Sequence, residues 1–538
     1  MTDTARRSAP TSSPPAPTAG RPGAVVFGSL LLVMSLAALD QTIISTALRS
    51  VVAELGSVSA LSWVVTVYLL ASTATAPLWG RLGDARGRKR MLVAAVVIFL
   101  AASCLSGAAT SIGMLIAARA VQGAGAGGLM ALASAGVADL VDPRQRGKYM
   151  GYVQSMFAVA SVLGPLAGGL IVDHVSWRWV FYVNLPIGLL GLVGLLVAFP
   201  AQSARREVRI DYLGATLLAA TVVLLELVVL WGGRVYGWTS PTVIGLAVGC
   251  LVALGLLVWR QVRASDPILP PRMLADPTVR SVSLALFIAT ASLFAATTFV
   301  PLYLQVVRGR SPMISGLLLI PMMLGITATS VIVGRAMSRT GRYKIFPVLG
   351  MIITAAALFG FSRLGPHTSW VWVLGCLLAA GVGFGMVTQV LVVAIQNSVE
   401  RPLLGSATAT ANLFRSLGGA VGVAVLGAVF NHGLVNGSGG SAAAERLVAD
   451  PSSAGSGATP AALLTVNHGL SLVFVVAAVA ALSAALICGL ITERPAPQWG
   501  GQQQGGQGGG GQPGAGGSGQ AGRRVAAPTH APAHARPR

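Results

Sequence analysis

The feature that most constrains this chain is a series of apolar stretches of about 20 residues, separated by short polar turns. They fall near 24–48, 61–80, 91–109, 112–134, 148–172 and 179–200, then 211–232 and 241–260, then 281–305, 314–335, 345–362, 370–394, 405–431 and 464–491. Twenty residues of helix rise about 30 Å, the thickness of a bilayer's hydrocarbon core, and a helix satisfies its own backbone polar groups there. The first run is too long for the apolar core of a signal peptide and has no convincing cleavage site, so it is retained. Arg6-Arg7 is not followed by an apolar region, which argues against a twin-arginine signal. A mean hydropathy of +0.74 with 10% charged residues excludes a soluble chain of this size, whose surface must be polar. The expected fold is an all-α membrane protein with fourteen transmembrane helices arranged six, two, six.

The formal charge of +21 invites a nucleic-acid reading, and the placement of the cations removes it. Of 37 Lys and Arg, twenty-eight lie in alternate inter-helix segments and tails, which that bias assigns to the cytoplasm together with both termini. Seven (Arg49, Arg178, Arg234, Arg308, Arg310, Arg363 and Arg446) lie on the other side, and Arg119 and Arg415 fall inside helices.

Gly80-Arg81-Leu82-Gly83-Asp84-Ala85-Arg86-Gly87-Arg88-Lys89-Arg90 carries five cations and one carboxylate between two apolar runs. Such a run cannot lie in hydrocarbon, so it reads as a tight water-facing turn on the cytoplasmic side. Gly83 and Gly87 offer positive φ for the reversal. Asp84 has two partners within reach, Arg88 one turn on or the end of a neighbouring helix. A degenerate second copy, Gly334-Arg335-Ala336-Met337-Ser338-Arg339-Thr340-Gly341-Arg342-Tyr343-Lys344, lies 254 positions on, with Ser338 in place of Asp84. Two such loops at equivalent places indicate two related six-helix halves. The domains expected are 1–23, a disordered cytoplasmic tail; 24–200, the first bundle; 201–262, two linker helices; 263–491, the second bundle with an external loop at 432–463; and 492–538, a disordered Gly/Gln-rich tail.

A charge inside a membrane helix costs about 2.5–3.5 kcal/mol even on the lenient insertion scale, so it marks a functional-site candidate. Asp40, beside Gln41 and Thr42 in the outer part of helix 1, is a candidate for binding and releasing a proton, against a purely structural carboxylate. Arg119 in helix 4 keeps its charge and needs acceptors, supplied by Gln122 or by a carboxylate across the bundle. Glu226 is a third candidate for proton or substrate coupling, although its helix lies outside the two six-helix halves, which favours a structural role. In helix 5, Gly164, Pro165, Gly168 and Gly169 combine a helix bend with a groove for close approach, suited to a rocking interface between halves.

Other chemistries find no support. Gly123–Gly128 lies in an apolar helix with no preceding strand and no Gly-Lys-Ser/Thr, so it is not a phosphate loop. Cys104, Cys250, Cys376 and Cys488 lie in apolar runs and show neither a disulfide framework nor metal spacing. The six His are scattered, and no nucleophile–base set occurs, which argues against an enzyme. Without a nucleotide site, pumping draws on an ion gradient, and no cofactor or metal is expected.

Taken together these residues resemble the major facilitator superfamily, in particular its fourteen-helix drug:proton antiporter family. The signature loop matches Gly80–Arg90, the helix 4 pattern Leu115…Arg119…Gln122-Gly123, and the antiporter pattern Gly164-Pro165…Gly168-Gly169. Leu39-Asp40-Gln41-Thr42-Ile43 is similar to the helix 1 motif, and Trp177-Arg178-Trp179-Val180-Phe181…Asn184…Pro186 to the helix 5–6 junction. Arg49 departs from the proline that ends the family's helix 1 motif. The resemblance implies a central cavity and alternating access driven by proton entry, in a multi-pass protein of the plasma membrane that functions as a monomer. It assigns Asp40 and Arg119 to the proton or substrate pathway, Gly80, Gly83, Asp84, Gly87 and Arg88 to conformational switching, and Gly164-Pro165 to the antiport bend. It further implies export of a hydrophobic drug or antibiotic, such as the aromatic polyketide tetracenomycin, giving self-resistance. A broad-range multidrug pump is the nearest alternative, and a channel or uptake carrier the next.

Overall fold

The computed structural model describes residues 23–55, 61–200, 211–232, 235–264, 267, 269, 271–435, 443–444, 447–448 and 459–493. The expectations for both tails, and for most of 432–463, lie outside these residues. The described chain is helical. In order the helices are α1 (Ala24–Leu55), α2 (Leu61–Arg86), α3 (Arg88–Gly107), α4 (Ile112–Leu140), α5 (Arg146–His174), α6 (Trp179–Tyr182), α7 (Asn184–Ala198), α8 (Tyr212–Trp231) and α9 (Pro241–Arg263). There follow α10 (Pro271–Ala275), α11 (Pro277–Val306), α12 (Pro312–Leu317), α13 (Ile320–Thr340), α14 (Ile345–Ser362), α15 (Trp370–Gly385), α16 (Thr388–Ser398), α17 (Leu404–Val435) and α18 (Pro460–Gly489).

Among the described residues, thirteen helical stretches are long and apolar enough to cross a membrane. The remaining expected span coincides with α2, which has spanning length but lower hydropathy. Its small polar residues look inward: Thr75 donates to the Ala124 carbonyl at 3.2 Å and Trp79 Nε1 to the same oxygen at 2.8 Å. The outward positions elsewhere are apolar, with Val197 and Val371 about four-fifths exposed, as lipid-facing side chains must be.

Close packing follows the glycines. On α4, Gly123 and Gly127 lie against the α2 backbone at Tyr68 and Ser72, while Gly125 lies against Phe99 and Gly128 against Ala95, both on α3. The Gly-rich run is thus a two-sided helix seam. Helices α1 to α7 pack together, as do α11 to α18; α8 and α9 form a pair, with α8 touching α2 and α17. The two sets meet through α5 against α13 and α2 against α17.

Two expectations about backbone are corrected. Gly80–Arg86 is the last part of α2 rather than a loop, and the reversal falls on one residue, Gly87, with φ 93°. Gly83 is helical, and its bare Cα admits Leu132 of α4. Gly341, 254 positions after Gly87, also has positive φ, 70°, so the second copy keeps the turn although it lost the carboxylate. Helix 1, lacking a proline at position 49, runs on to Leu55, which sets Asp40 at mid-helix rather than in its outer part.

Candidate functional site

Asp40 sits at a junction of α1, α3, α4 and α7, fully buried. Arg119 Nη1 donates to its Oδ2 at 2.5 Å, while Gln122 Nε2 at 2.8 Å and Asn184 Nδ2 at 3.1 Å donate to Oδ1. The arginine is itself held by the Gln122 side-chain oxygen at 2.9 Å and the Val64 carbonyl at 3.2 Å, with its guanidinium 4.2 Å from the Tyr68 ring centre. Ser103 accepts from Gln122 and Asn184 at 3.0 and 2.9 Å and donates to the Phe181 carbonyl at 3.1 Å. Three donors, one of them the guanidinium, offset the cost of burying this carboxyl group. Sequence reasoning found Asp40, Arg119 and Gln122. It quoted Asn184 only as part of the helix 5–6 junction and missed Ser103, since a serine among apolar residues carries no signal of its own.

The second cluster links the two helix sets at their loop end. Asp84 accepts from the backbone N–H of Gly405 and of Ser406 at the start of α17, and from the Ser406 hydroxyl at 3.1 Å. Arg88 pairs with Asp84 at 3.0 Å and with Asp139 at the end of α4. Both partners expected for Asp84 are therefore engaged at once; Asp139 was missed, although an acid at a helix end near a basic run was a readable signal. Gly80 lies against the Gly405 backbone. On the other seam, Arg146 Nη1 donates to the Asn397 side chain at 3.0 Å, and Gly147 lies against Gly334.

The α5 glycines are placed differently from expectation. Gly164 and Gly168 lie against Thr42, Ile43 and Thr46 of α1, within one helix set, and Gly169 has open space around it. Thr42 also donates to the Ala160 carbonyl at 3.1 Å. The α5 glycines that lie against α13 are instead Gly147 and Gly151, roughly four to six turns earlier. Pro165 sits inside a helix that continues on both sides. Glu226 is buried and accepts from the Thr73 hydroxyl of α2, so α8 is tied to the first helix set through a polar contact. Between the sets lies a cavity of about 80 Å³ bordered by Gln41, Thr73, Met130, Phe157, Asn412 and Arg415.

The family model of the Major Facilitator Superfamily matches residues 30–423. The chain belongs to the Major Facilitator Superfamily. It is a multi-pass integral protein of the plasma membrane, as a transporter of this superfamily with thirteen candidate spans must be. An MFS-type transporter of Mycobacterium tuberculosis is 40% identical over 428 residues, covering 78% of this chain and 62% of the relative's own length. The chain thus spans less than two thirds of that relative. The multidrug transporter protein MdtP of Bacillus subtilis is 34% identical over 407 residues, covering 76% of this chain and 75% of the relative. Among solved structures, a double tryptophan mutant of XylE superposes with a TM-score of 0.62 at 15% identity, over 88% of this chain and 96% of that one, a likeness of fold.

Proposed function

We propose that this superfamily transporter exports a hydrophobic small molecule in exchange for protons, and that Asp40 is the proton-carrying residue. The observation that carries the reading is the buried Asp40–Arg119 pair at mid-helix, because a membrane interior tolerates such a pair where it is used. The cycle follows from the chemistry. A proton entering from outside neutralises Asp40, Arg119 loses its counter-charge and shifts toward Gln122 and the Val64 carbonyl, and α1 moves relative to α4. Release of the proton inward restores the pair. Asp84 with Gly80, Gly83, Gly87 and Arg88 forms the latch between 24–200 and 263–491, which rock as two bundles around the cavity. Gly164, Pro165, Gly168 and Gly169 give α5 its bend. Glu226 supports the cavity wall behind Thr73.

In this reading α2 is the fourteenth span, both termini are cytoplasmic, the monomer is the working unit, and the loop end of the bundle faces the cytoplasm. The names of relatives such as MdtP support drug efflux; an aromatic polyketide antibiotic such as tetracenomycin is the specific substrate proposed, with self-resistance as the outcome. The test uses everted vesicles with an acidic interior and a fluorescent reporter of the pH gradient. Candidate antibiotics and simple cationic dyes are added to native protein and to Asp40→Asn. Substrate-triggered loss of the gradient, absent in the variant, is the expected result. A variant that behaves as the native protein removes Asp40 from the role.

A further inference from the structure

The cavity between the helix sets has a charge that nothing in it answers. Arg415 of α17 borders it, half-buried, and no described residue hydrogen-bonds or ion-pairs with its guanidinium. Asn412, one turn earlier on the same face, also borders the cavity, and its side-chain Nδ2 is buried without a partner. Two adjacent side chains therefore hold N–H donors that no described residue accepts. No carboxylate borders the cavity. The buried acids next to its lining residues Gln41 and Thr73 are committed elsewhere: Asp40 to Arg119, Gln122 and Asn184, and Glu226 to the Thr73 hydroxyl. From Pro277 to Thr492 the sequence holds just three acids, Glu400, Glu445 and Asp450, and no candidate span among the described residues contains one.

We infer that Arg415 is a specificity-determining residue and that the transported compound is an aromatic or hydrophobic molecule bearing a negative charge, held as a carboxylate by the Arg415 guanidinium and the Asn412 amide. An arginine keeps its proton in any environment and presents paired N–H donors that match the two oxygens of a carboxylate. An unanswered guanidinium inside a membrane protein is costly, and a bound anion supplies the missing counter-charge. The same guanidinium repels a cationic drug, so the discrimination has an attractive and a repulsive part. Met130 and Phe157 offer the apolar surface that the body of the molecule covers. At about 80 Å³ the cavity accepts the charged head with its water, whereas a drug-sized body needs roughly 300 Å³ or more, so full entry requires the helix sets to part.

This inference rests on the central cavity being the transport site, and its test is a binding measurement that does not depend on proton coupling. Purified full-length protein in lipid nanodiscs is titrated with 1-pyrenebutyrate, 1-pyrenebutanamide and 1-pyrenebutylamine, with empty nanodiscs subtracted. The native protein is expected to bind the carboxylate at least tenfold more tightly than the amide, and the amine most weakly. Arg415→Gln is expected to reduce that preference to within twofold, and its thermal unfolding in the same nanodiscs shows whether the variant is folded. Arg415→Lys, keeping the charge without the paired donors, is expected to retain part of the preference. Equal affinity of the native protein for carboxylate and amide, no binding of the carboxylate, or an undiminished preference in Arg415→Gln each overturns the inference. Should Arg415→Gln fail to fold, the order of the three probes on the native protein decides. Failure of the gradient assay with a preserved carboxylate preference overturns proton coupling alone.

Discussion

Asp84 on α2 accepts hydrogen bonds from the backbone N–H groups of Gly405 at 3.0 Å and Ser406 at 2.9 Å, so a carboxylate from one helix set caps the first turn of α17 in the other. Those N–H groups have no partner within their own helix, and the helix dipole adds to the attraction. Parting of the two sets at this end would break the contact, which is the latch proposed above.

Asp84→Asn keeps the size of the side chain and removes its charge. Closure is expected to weaken by about 1–2 kcal/mol, roughly a tenfold shift toward the opened form. A cysteine replacing Met337, which is buried beside Gly147, reports this on a cysteine-free background. Its alkylation from the loop side should quicken about tenfold in Asp84→Asn. An unchanged rate means that the cap does not hold the seam.

For the Asp40–Arg119 pair the two single variants should differ. Asp40→Asn leaves Arg119 with Gln122 and Val64 as acceptors and should fold while losing gradient coupling. Arg119→Leu strands a buried carboxylate and is expected to cost about 3–5 kcal/mol, read as lowered thermal stability in detergent. The double variant Asp40→Asn with Arg119→Leu should recover a good part of that loss, since no lone charge remains. Equal instability of single and double variants contradicts the pairing.

The α5 glycines give a contrast within one motif. An added methyl at Gly164 meets Thr42, with Cβ of the threonine 2.8 Å away, so Gly164→Ala must push α5 off α1. Gly169 has nothing within 4 Å. Gly164→Ala is expected to lower thermal stability by about 1–3 kcal/mol and slow transport, while Gly169→Ala keeps the native thermal stability. Reversal of that order would show that the groove lies elsewhere.

At the far end of α1, the hydrogen bond from Trp177 and then the Arg178 guanidinium hold the Glu54 carboxyl below its ordinary value of 4.5. A depressed carboxyl contributes stability above the unfolded value, and loses it as pH falls through the folded one. The thermal stability advantage of the native protein over Glu54→Gln should therefore be constant near neutral pH and shrink below about 4.5. An advantage that grows in acid reverses the sign and excludes the clasp.

Much of this molecule was legible in the sequence because a membrane reads hydropathy and charge directly. Runs of about 20 apolar residues have one stable form in hydrocarbon, and the cations settle where water is. The same physics singled out Asp40, Arg119 and Glu226, since each charge stands alone against an apolar background. What a charge touches is a different matter. Gly83 and Gly87 look alike in the chain, yet helical hydrogen bonds claim one and leave the other at φ 93° to turn. Gly164, Gly168 and Gly169 form one motif, but a helix has a period of 3.6 residues, so the last points away from the face the first two share.

The sequence by itself determined the helices, their insertion in a membrane and the few ionisable groups buried there, because those follow from the solvent. Only the tertiary structure decided the partners. Asn184 reaches Asp40 across 144 positions, and Asp84 reaches Ser406 across 322. It also left Arg415 without a described counter-charge beside Asn412, facing the cavity. Contacts at such separations depend on which helix faces pack together, and that packing is set by small-residue seams whose pairing no single stretch of chain encodes.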